Sequence, residues 1–238
     1  MNLSAVILAA GRGARLAPLT DQRPKCLLPI GGRAILDRQL DALTGAAITE
    51  VTIVTGPAAE AIEAHVAGRP GIRTVRNPRH SATDNLASCH VARDHFVGEA
   101  SLLLNGDTLF EHTVLANLLA ARPAPILIAI DRKPLYDADD MKIETTDTNQ
   151  LRRIGKDLAQ PDGEAIGITL LRGEGSARFL RQVEARLAAP GGERALYTEA
   201  LDALAAQDRI GVRATHGRHW IEIDTPQDLA AAEAMPWR

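Results

Sequence analysis

The run Leu8-Ala9-Ala10-Gly11-Arg12-Gly13-Ala14-Arg15-Leu16 places two glycines and two arginines directly after an apolar stretch. Glycine lets backbone amides approach phosphate oxygens closely, and Arg15 can neutralise them. A dinucleotide fingerprint does not fit, because Leu16 stands where the third glycine belongs and Pro18 follows two residues later. A P-loop does not fit either, since no GxxxxGK followed by Ser or Thr occurs. The pattern that remains is Gly-x-Gly-x-Arg with Pro24-Lys25 downstream, Lys25 standing ten residues beyond Arg15. Such a loop delivers cations and backbone amides to a polyphosphate.

Two carboxylates stand at positions that suit the same chemistry. Asp107 follows Asn105-Gly106 at the end of the apolar run 101–104. Asn-Gly is also a hairpin signal, but Thr108-Leu109-Phe110-Glu111 alternates only weakly. The run before it is apolar throughout, as a strand buried on both faces is. Ligands of open α/β sheets bind at the carboxyl ends of such strands. Asp224 lies in Trp220-Ile221-Glu222-Ile223-Asp224-Thr225-Pro226, between a strand and a helix start. Thr225 at the N-cap, Pro226 at N1 and Asp228 at N3 satisfy that helix end, which leaves Asp224 free. Glu222 is expected to alternate to the other face.

The elements that must carry these residues read as an α/β fold. Short apolar runs at 5–9, 51–55, 72–76, 101–104 and 126–130 alternate with helical patterns at 34–43, 58–67, 86–96 and 113–121. After Asp131 come short strands at 141–145, 151–154 and 166–171, separated by polar turns, which predict an antiparallel or mixed insertion beside the first sheet. Helices at 176–188 and 195–206, strands at 211–214 and 220–223 and a last helix after Thr225 complete the chain. No repeat, low-complexity tract or linker interrupts it. The expectation is one Rossmann-like unit over 1–238, with a mostly parallel, mixed sheet flanked by helices. Residues 1–131 form a nucleotide-binding core, 132–175 a small β-rich acceptor-side insertion, and 176–238 the C-terminal helices with Asp224.

Composition narrows the class further. At 238 residues the chain can bury a core without staples, and 45% apolar residues with only 3% aromatics suit an Ala-rich α/β protein. A net charge of −3 without a Lys/Arg run argues against a nucleic-acid partner. Cys26 and Cys89 are far apart and lack CxxC spacing, so neither a disulfide framework nor a zinc site is expected, and the default is a reducing compartment. Cys26 beside Lys25 is read as a packed residue. The apolar segment 1–10 has no charged leader and is too short to span a bilayer. It reads as a buried strand, with no membrane partner and a cytoplasmic location expected.

The stretch LAAGRGARLAPLTDQRPKCLLPIGGRAIL resembles the N-terminal signature of the sugar-phosphate nucleotidyltransferase superfamily. The resemblance implies that this loop wraps an NTP triphosphate, with Leu8, Ala9, Ala10, Gly11 and Gly13 at the nucleotide. It makes Arg15 and Lys25 the catalytic cations and Asp107 and Asp224 the ligands of Mg2+. Two aspartates from distant strand ends suit that ion, which completes its shell with phosphate oxygens and water. Ala14 departs from the family, which usually has Ser or Thr there. The implied reaction moves a nucleoside monophosphate from an NTP to a small phosphorylated alcohol and releases pyrophosphate. It needs neutralised oxygens and an in-line nucleophile more than acid–base groups. A phosphate monoester has a second pKa near 6 and arrives ionised, and the seven scattered histidines are read as surface or packing residues.

Lys142, in Asp139-Asp140-Met141-Lys142, resembles a Met-Lys element of the subgroup acting on phosphocholine and related acceptors. Lys156 resembles the lysine of a Glu-Lys-Pro element in hexose-phosphate members, with Gly155 and Asp157 as its neighbours here. Both are expected to hold the acceptor phosphate. The segment 81–88 resembles the Asn-x-x-Ser element of bacterial phosphocholine cytidylyltransferases and of related enzymes for inositol phosphate and aminoethylphosphonate. This assigns Asn85 and Ser88 to the base: an Asn amide both donates and accepts, as a cytosine edge requires. The competing reading of Asn85 is a helix N-cap. With Gly163-Glu164-x-Ile166-Gly167 and Trp220-x-Glu-x-Asp, the whole chain resembles this subgroup, and CTP is the expected donor. Phosphocholine, polyol phosphate and phosphonate remain open as acceptors. A quaternary ammonium would favour Tyr136, Tyr197 or Trp220 as walls and Asp139 and Asp140 as charge. The alternatives are a hexose-1-phosphate uridylyl- or thymidylyltransferase, and a non-catalytic regulatory relative. The latter is expected to lack Arg15, Lys25, Asp107 or Asp224, all of which this chain retains.

Overall fold

The computed structural model describes residues 2–207 and 209–237. Met1, Asp208 and Arg238, which the ranges above include, lie outside the described residues. In chain order the strands and helices are β1 (Leu3–Ala9), β2 (Pro29–Ile30), β3 (Arg33–Ala34), α1 (Ile35–Gly45), β4 (Glu50–Thr55), α2 (Ala59–Val66), β5 (Ile72–Arg76), α3 (Asn85–Val91), β6 (Ala100–Asn105), β7 (Thr108–Phe110), α4 (His112–Leu119) and β8 (Ile126–Asp131). They continue with β9 (Lys142–Thr145), β10 (Leu151–Ile154), β11 (Gly163–Arg172), α5 (Glu174–Ala188), α6 (Tyr197–Ala205), β12 (Ile210–Ala214), β13 (Trp220–Glu222) and α7 (Pro226–Ala234).

One mixed sheet runs in the order β10-β9-β11-β6-β1-β4-β5, and β8 joins it by pairing with both β11 and β12. β1 lies parallel to β4 and β6, while β11 runs antiparallel to β6. The parallel centre must be apolar on both faces, and β1 shows why a continuous apolar run does this. Ala5 and Ile7 enter a core with Leu36, Leu40 and Leu115 beneath α1, α2 and α4. Val6 and Leu8 enter a second core with Leu86, Phe179 and Leu201 beneath α3, α5 and α6. Each such fully buried Leu or Ile stabilises the fold by about 1.5–3 kcal/mol. Among the described residues no helix is long and apolar enough to cross a membrane.

Two local expectations change. The helix expected over 86–96 stops at Val91 and is followed by a short 3-10 turn at Arg93–His95, which returns Phe96 to the second core. The insertion strands β9 and β10 do not form a separate sheet but lengthen the main one, antiparallel beyond β11. β11 passes so close to the end of β6 that a Cβ at Gly167 (φ +75) would lie 2.7 Å from Asn105 Nδ2. As the weak alternation of 108–111 indicated, no hairpin forms at Asn105-Gly106: β7 turns away from β6 and pairs with β13.

Candidate active site

The phosphate loop and Asp107 emerge side by side because β1 and β6 are neighbours. Leu8 is in register with Asn105, and the Gly106 amide donates to Leu8 O at 2.9 Å. A side chain at residue 106 would put its Cβ 2.7 Å from that same oxygen, so the turn requires glycine. Gly13 adopts φ 62, and its carbonyl accepts from Thr20 Oγ1 at 2.8 Å. This folds the loop back so that Lys25 returns to the strand ends. The ladder between β7 and β13 sets Glu222 opposite Thr108, and the Ile223 amide donates to Asp107 O at 3.0 Å. That ladder brings Asp107 and Asp224 to one place. Asp228 accepts from the Asp224 and Thr225 amides, as the N-cap pattern requires, and leaves the Asp224 carboxylate to the cleft. A brace not marked by any local pattern comes from α1: Gln39 Nε2 donates to both Asn105 O and Thr108 O at 2.8 Å, clamping the turn that carries Asp107.

Lys25 Nζ lies between the two aspartates, 2.8 Å from Asp107 Oδ2 and 2.5 Å from Asp224 Oδ1. Burial alone would lower the Lys25 pKa, but the two carboxylates more than offset it and the ammonium is held charged. Burial likewise acts to raise the Asp224 carboxyl, and Lys25 and Arg15 outweigh it, so it stays below its ordinary value. Arg15 is half exposed and spans the cleft, 2.8 Å from Asp139 and 2.9 Å from Asp224. Asp107 Oδ1 is buried without a hydrogen-bond partner, so one of its oxygens has an unmet acceptor capacity. Cys26 next to Lys25 is a packed thiol, pushed up to about 12 by burial and then by the charge of Asp107.

Glu222 does not turn to the other face as expected. In a strand, residues two apart share a face, so Trp220, Glu222 and Asp224 all line the cleft. The cleft walls, and after them the charges of Asp107 and Asp224, push the Glu222 carboxyl up to about 8, although solvent reaches the side chain through the open mouth.

Two cavities meet at these carboxylates. The first, about 550 Å³, is lined by Leu8, Ala10, Gly11, Asn85, Ser88, Asp107 and Glu222 among others. Ala9 borders a narrow slot beside Lys25 and Gly106, and Gly13 shapes the loop without lining the cavity. Arg12, Asn77, His80 and Arg194 also line it. Arg12 lies inside the recognised loop, but Arg194 arrives from a turn before α6 and carries no sequence signal. Asn85 is not the N-cap of α3, a place taken by Asp84. Its Oδ1 accepts from the Tyr197 amide at 2.8 Å, which fixes the orientation of the side-chain amide and leaves its NH2 group as the end without a protein partner.

The second cavity, about 450 Å³, is lined by Arg15, Asp131, Lys133, Asp139, Asp140, Glu164, Trp220, Glu222 and Asp224 among others, with carboxylates well in excess of cations. Asp131 receives Trp220 Nε1 at 3.0 Å and fixes the indole in the wall. Lys133 pairs with Asp140 and Glu164, each at 2.9 Å, and lies 5.8 Å from the centre of the Tyr136 ring. Burial pushes Glu164 up to about 7, a rise that Lys133 partly opposes. Tyr197 is absent from this wall because it is buried in the second core against Phe179. The two expected acceptor lysines also part company. Lys142 is buried at 8% exposure on β9, which is paired on both edges, and its Nζ donates to the Lys156 carbonyl at 2.7 Å. Lys156 is exposed, and its Nζ reaches Asp139 at 3.5 Å.

A glycine loop, a lysine between two aspartates and two cavities sharing a carboxylate floor, at the carboxyl edge of a mixed α/β sheet, define a nucleotidyltransferase architecture. The chain matches the MobA-like NTP transferase domain over residues 5–203 and belongs to that family. It is 34% identical to a CMP-5'-(3-aminopropyl)phosphonate synthase of Streptomyces rubellomurinus, over 96% of this chain and 38% of that one. It is 23% identical to a 2-aminoethylphosphonate cytidylyltransferase of Lancefieldella rimae, over 96% of this chain and 91% of that one. The chain thus spans well under two thirds of the first relative's length. Its fold superposes on CTP:phosphocholine cytidylyltransferase from Streptococcus pneumoniae with a TM-score of 0.81 at 18% identity, covering 98% of each chain.

Proposed function

We propose that the protein transfers CMP from CTP to a small phosphonate or phosphate monoester that carries an ammonium group, releasing pyrophosphate. The observation that carries this reading is the place of the Asp107–Lys25–Asp224 cluster where the two cavities meet, with Glu222 lining both. A nucleotide in the first cavity and an acceptor in the second would face each other across those groups. The relatives named for aminoalkylphosphonates support the acceptor class, and so does the excess of carboxylates around the fixed indole of Trp220, which suits a cationic tail.

The donor set fits a hard divalent cation. Asp107 and Asp224 offer carboxylate oxygens, Asp107 Oδ1 lacks a partner, and among the described residues no cluster of three or more candidate ligands exists, so nucleotide phosphate and water would complete the shell. Mg2+ held there would draw charge from the α-phosphate. The chain's own groups do the rest: the backbone around Gly11 cradles the phosphates, and Lys25 and Arg15 neutralise the charge that builds on them. Lys156 holds the acceptor's anionic end, with Lys142 fixing the Lys156 backbone beneath it. The acceptor is already ionised near neutral pH, so no general base is required for in-line attack.

The test is pyrophosphate release measured for CTP, UTP, dTTP, ATP and GTP against aminoalkylphosphonates, phosphocholine, inositol phosphate and glucose 1-phosphate. CTP with an amine-bearing acceptor should be fastest. Faster turnover of glucose 1-phosphate with UTP or dTTP would replace this reading with the hexose-phosphate one.

A further inference from the structure

The nucleotide cavity contains a hydrogen-bond network in which backbone groups fix the orientation of two side-chain amides. Asn77 is buried, and its Oδ1 accepts from the Arg79 amide at 3.0 Å. That backbone donor fixes the amide orientation, so Nδ2 must be the end that donates to Thr83 Oγ1 and Ser88 Oγ, each at 3.2 Å. Thr83 passes its own proton to Arg79 O at 2.9 Å. Ser88 therefore receives a hydrogen bond from Asn77, and its hydroxyl, which lines the cavity, has no acceptor among the described residues. The Tyr197 amide imposes the same polarity on Asn85, because it occupies Oδ1 and leaves Nδ2 for the cavity. Asn85 and Ser88 stand three residues apart on α3 and so share one face of that helix.

We infer that this wall offers two donors to the base, the Asn85 NH2 and the Ser88 hydroxyl proton, with the Tyr197 amide orienting the first and Asn77, itself a donor to Ser88, leaving the second free. Cytosine offers two adjacent acceptors, N3 and O2. Uracil offers O2 and O4 but carries a proton on N3 between them, which would oppose a donor aimed at that position. The donor pair thus selects cytosine without the mixed donor–acceptor amide that the sequence alone suggested. Asn77 is a positioning residue in this scheme, because it acts through Ser88. The inference rests on the proposed use of CTP and adds how the choice against UTP is made.

Asn77→Asp is the decisive change. The Arg79 amide would keep one carboxylate oxygen, and the other would accept from Ser88, turning a lone pair of that hydroxyl toward the base. The variant should use UTP better in absolute terms and lower the CTP/UTP ratio of kcat/KM by roughly tenfold or more. Ser88→Ala should lower the ratio without any gain for UTP, and adding it to Asn77→Asp should cancel that gain. Asn85→Asp provides a second route should Asn77→Asp fail to fold: the Tyr197 amide holds one oxygen, and the other again becomes an acceptor facing the base. Melting temperatures and calorimetric titration of CTP and UTP without acceptor accompany the kinetics. If the unmutated protein prefers CTP and the folded variants keep its ratio, the polarity argument is overturned while the cytidylyltransferase reading stands. If the unmutated protein releases no pyrophosphate from any NTP, that reading falls by itself, and the CTP and UTP titrations still decide the inference.

Discussion

Replacing Lys25 by Met keeps most of the side-chain volume and removes the charge between Asp107 and Asp224. Both contacted oxygens lie within hydrogen-bond distance of one nitrogen, so they are about 5 Å apart, and at an effective dielectric of about 20 two such charges repel by roughly 3 kcal/mol. The aspartate side chains are 26% and 28% exposed, so water and counterions relieve part of this, leaving about 1–2 kcal/mol. For a chain of this size each kcal/mol moves Tm by about 2–4 °C. In the presence of a chelator the variant should therefore melt about 2–8 °C below the unmutated protein. Added Mg2+ should recover most of that difference, because a bare carboxylate pair attracts the ion that Lys25 otherwise opposes. Manganese titration followed by electron paramagnetic resonance should accordingly show tighter metal binding without nucleotide. Turnover should nevertheless fall on the order of 100-fold, since the charge also faces the triphosphate. An unchanged Tm in chelator, together with a response to Mg2+ no larger than that of the unmutated protein, would refute the reasoning.

Asp107→Ala and Asp224→Ala should each abolish turnover at saturating Mg2+ while circular dichroism still reports the fold; near-normal rates in both would remove the metal assignment. Glu164, pushed up to about 7, has a folded pKa above its unfolded value. Its stabilising effect is complete below about pH 4 and is lost as pH rises toward 7. The stability difference between the unmutated protein and Glu164→Gln should change over that interval, and a flat difference curve from denaturant titrations would contradict it. Lys156→Ala should raise the acceptor KM by roughly the 1.5–3 kcal/mol of a charged hydrogen bond and spare CTP binding. Lys142→Met should raise it less and lower Tm as well; equal effects on acceptor KM with no loss of stability would mean that both ammonium groups meet the acceptor directly.

The features legible in the sequence depend on residues close together along the chain. The apolar run before Gly11 announces a central strand because both faces of β1 are buried. Thr225, Pro226 and Asp228 announce the start of α7 because an N-cap is satisfied within four residues. The glycine pattern with Arg15 and Lys25 marks the loop for the same reason, since its phosphate-binding groups lie within fifteen residues of one another. Even the error at Glu222 was one of period, since positions 220, 222 and 224 of an extended segment are two apart and Trp220, Glu222 and Asp224 line the same cleft. What only the tertiary structure decided are the pairings between distant segments. β7 chose β13 over β6, and that ladder, not any motif, puts Asp107 beside Asp224. The Tyr197 backbone captured the carbonyl of Asn85, and the Lys156 carbonyl captured the ammonium of Lys142, so side chains of the expected type have one end already engaged. Gln39, Asn77 and Arg194 reach the site from elements whose local sequence says nothing of it. A buried polar atom must find a partner wherever the packed chain supplies one, and local patterning holds no record of which partner that is.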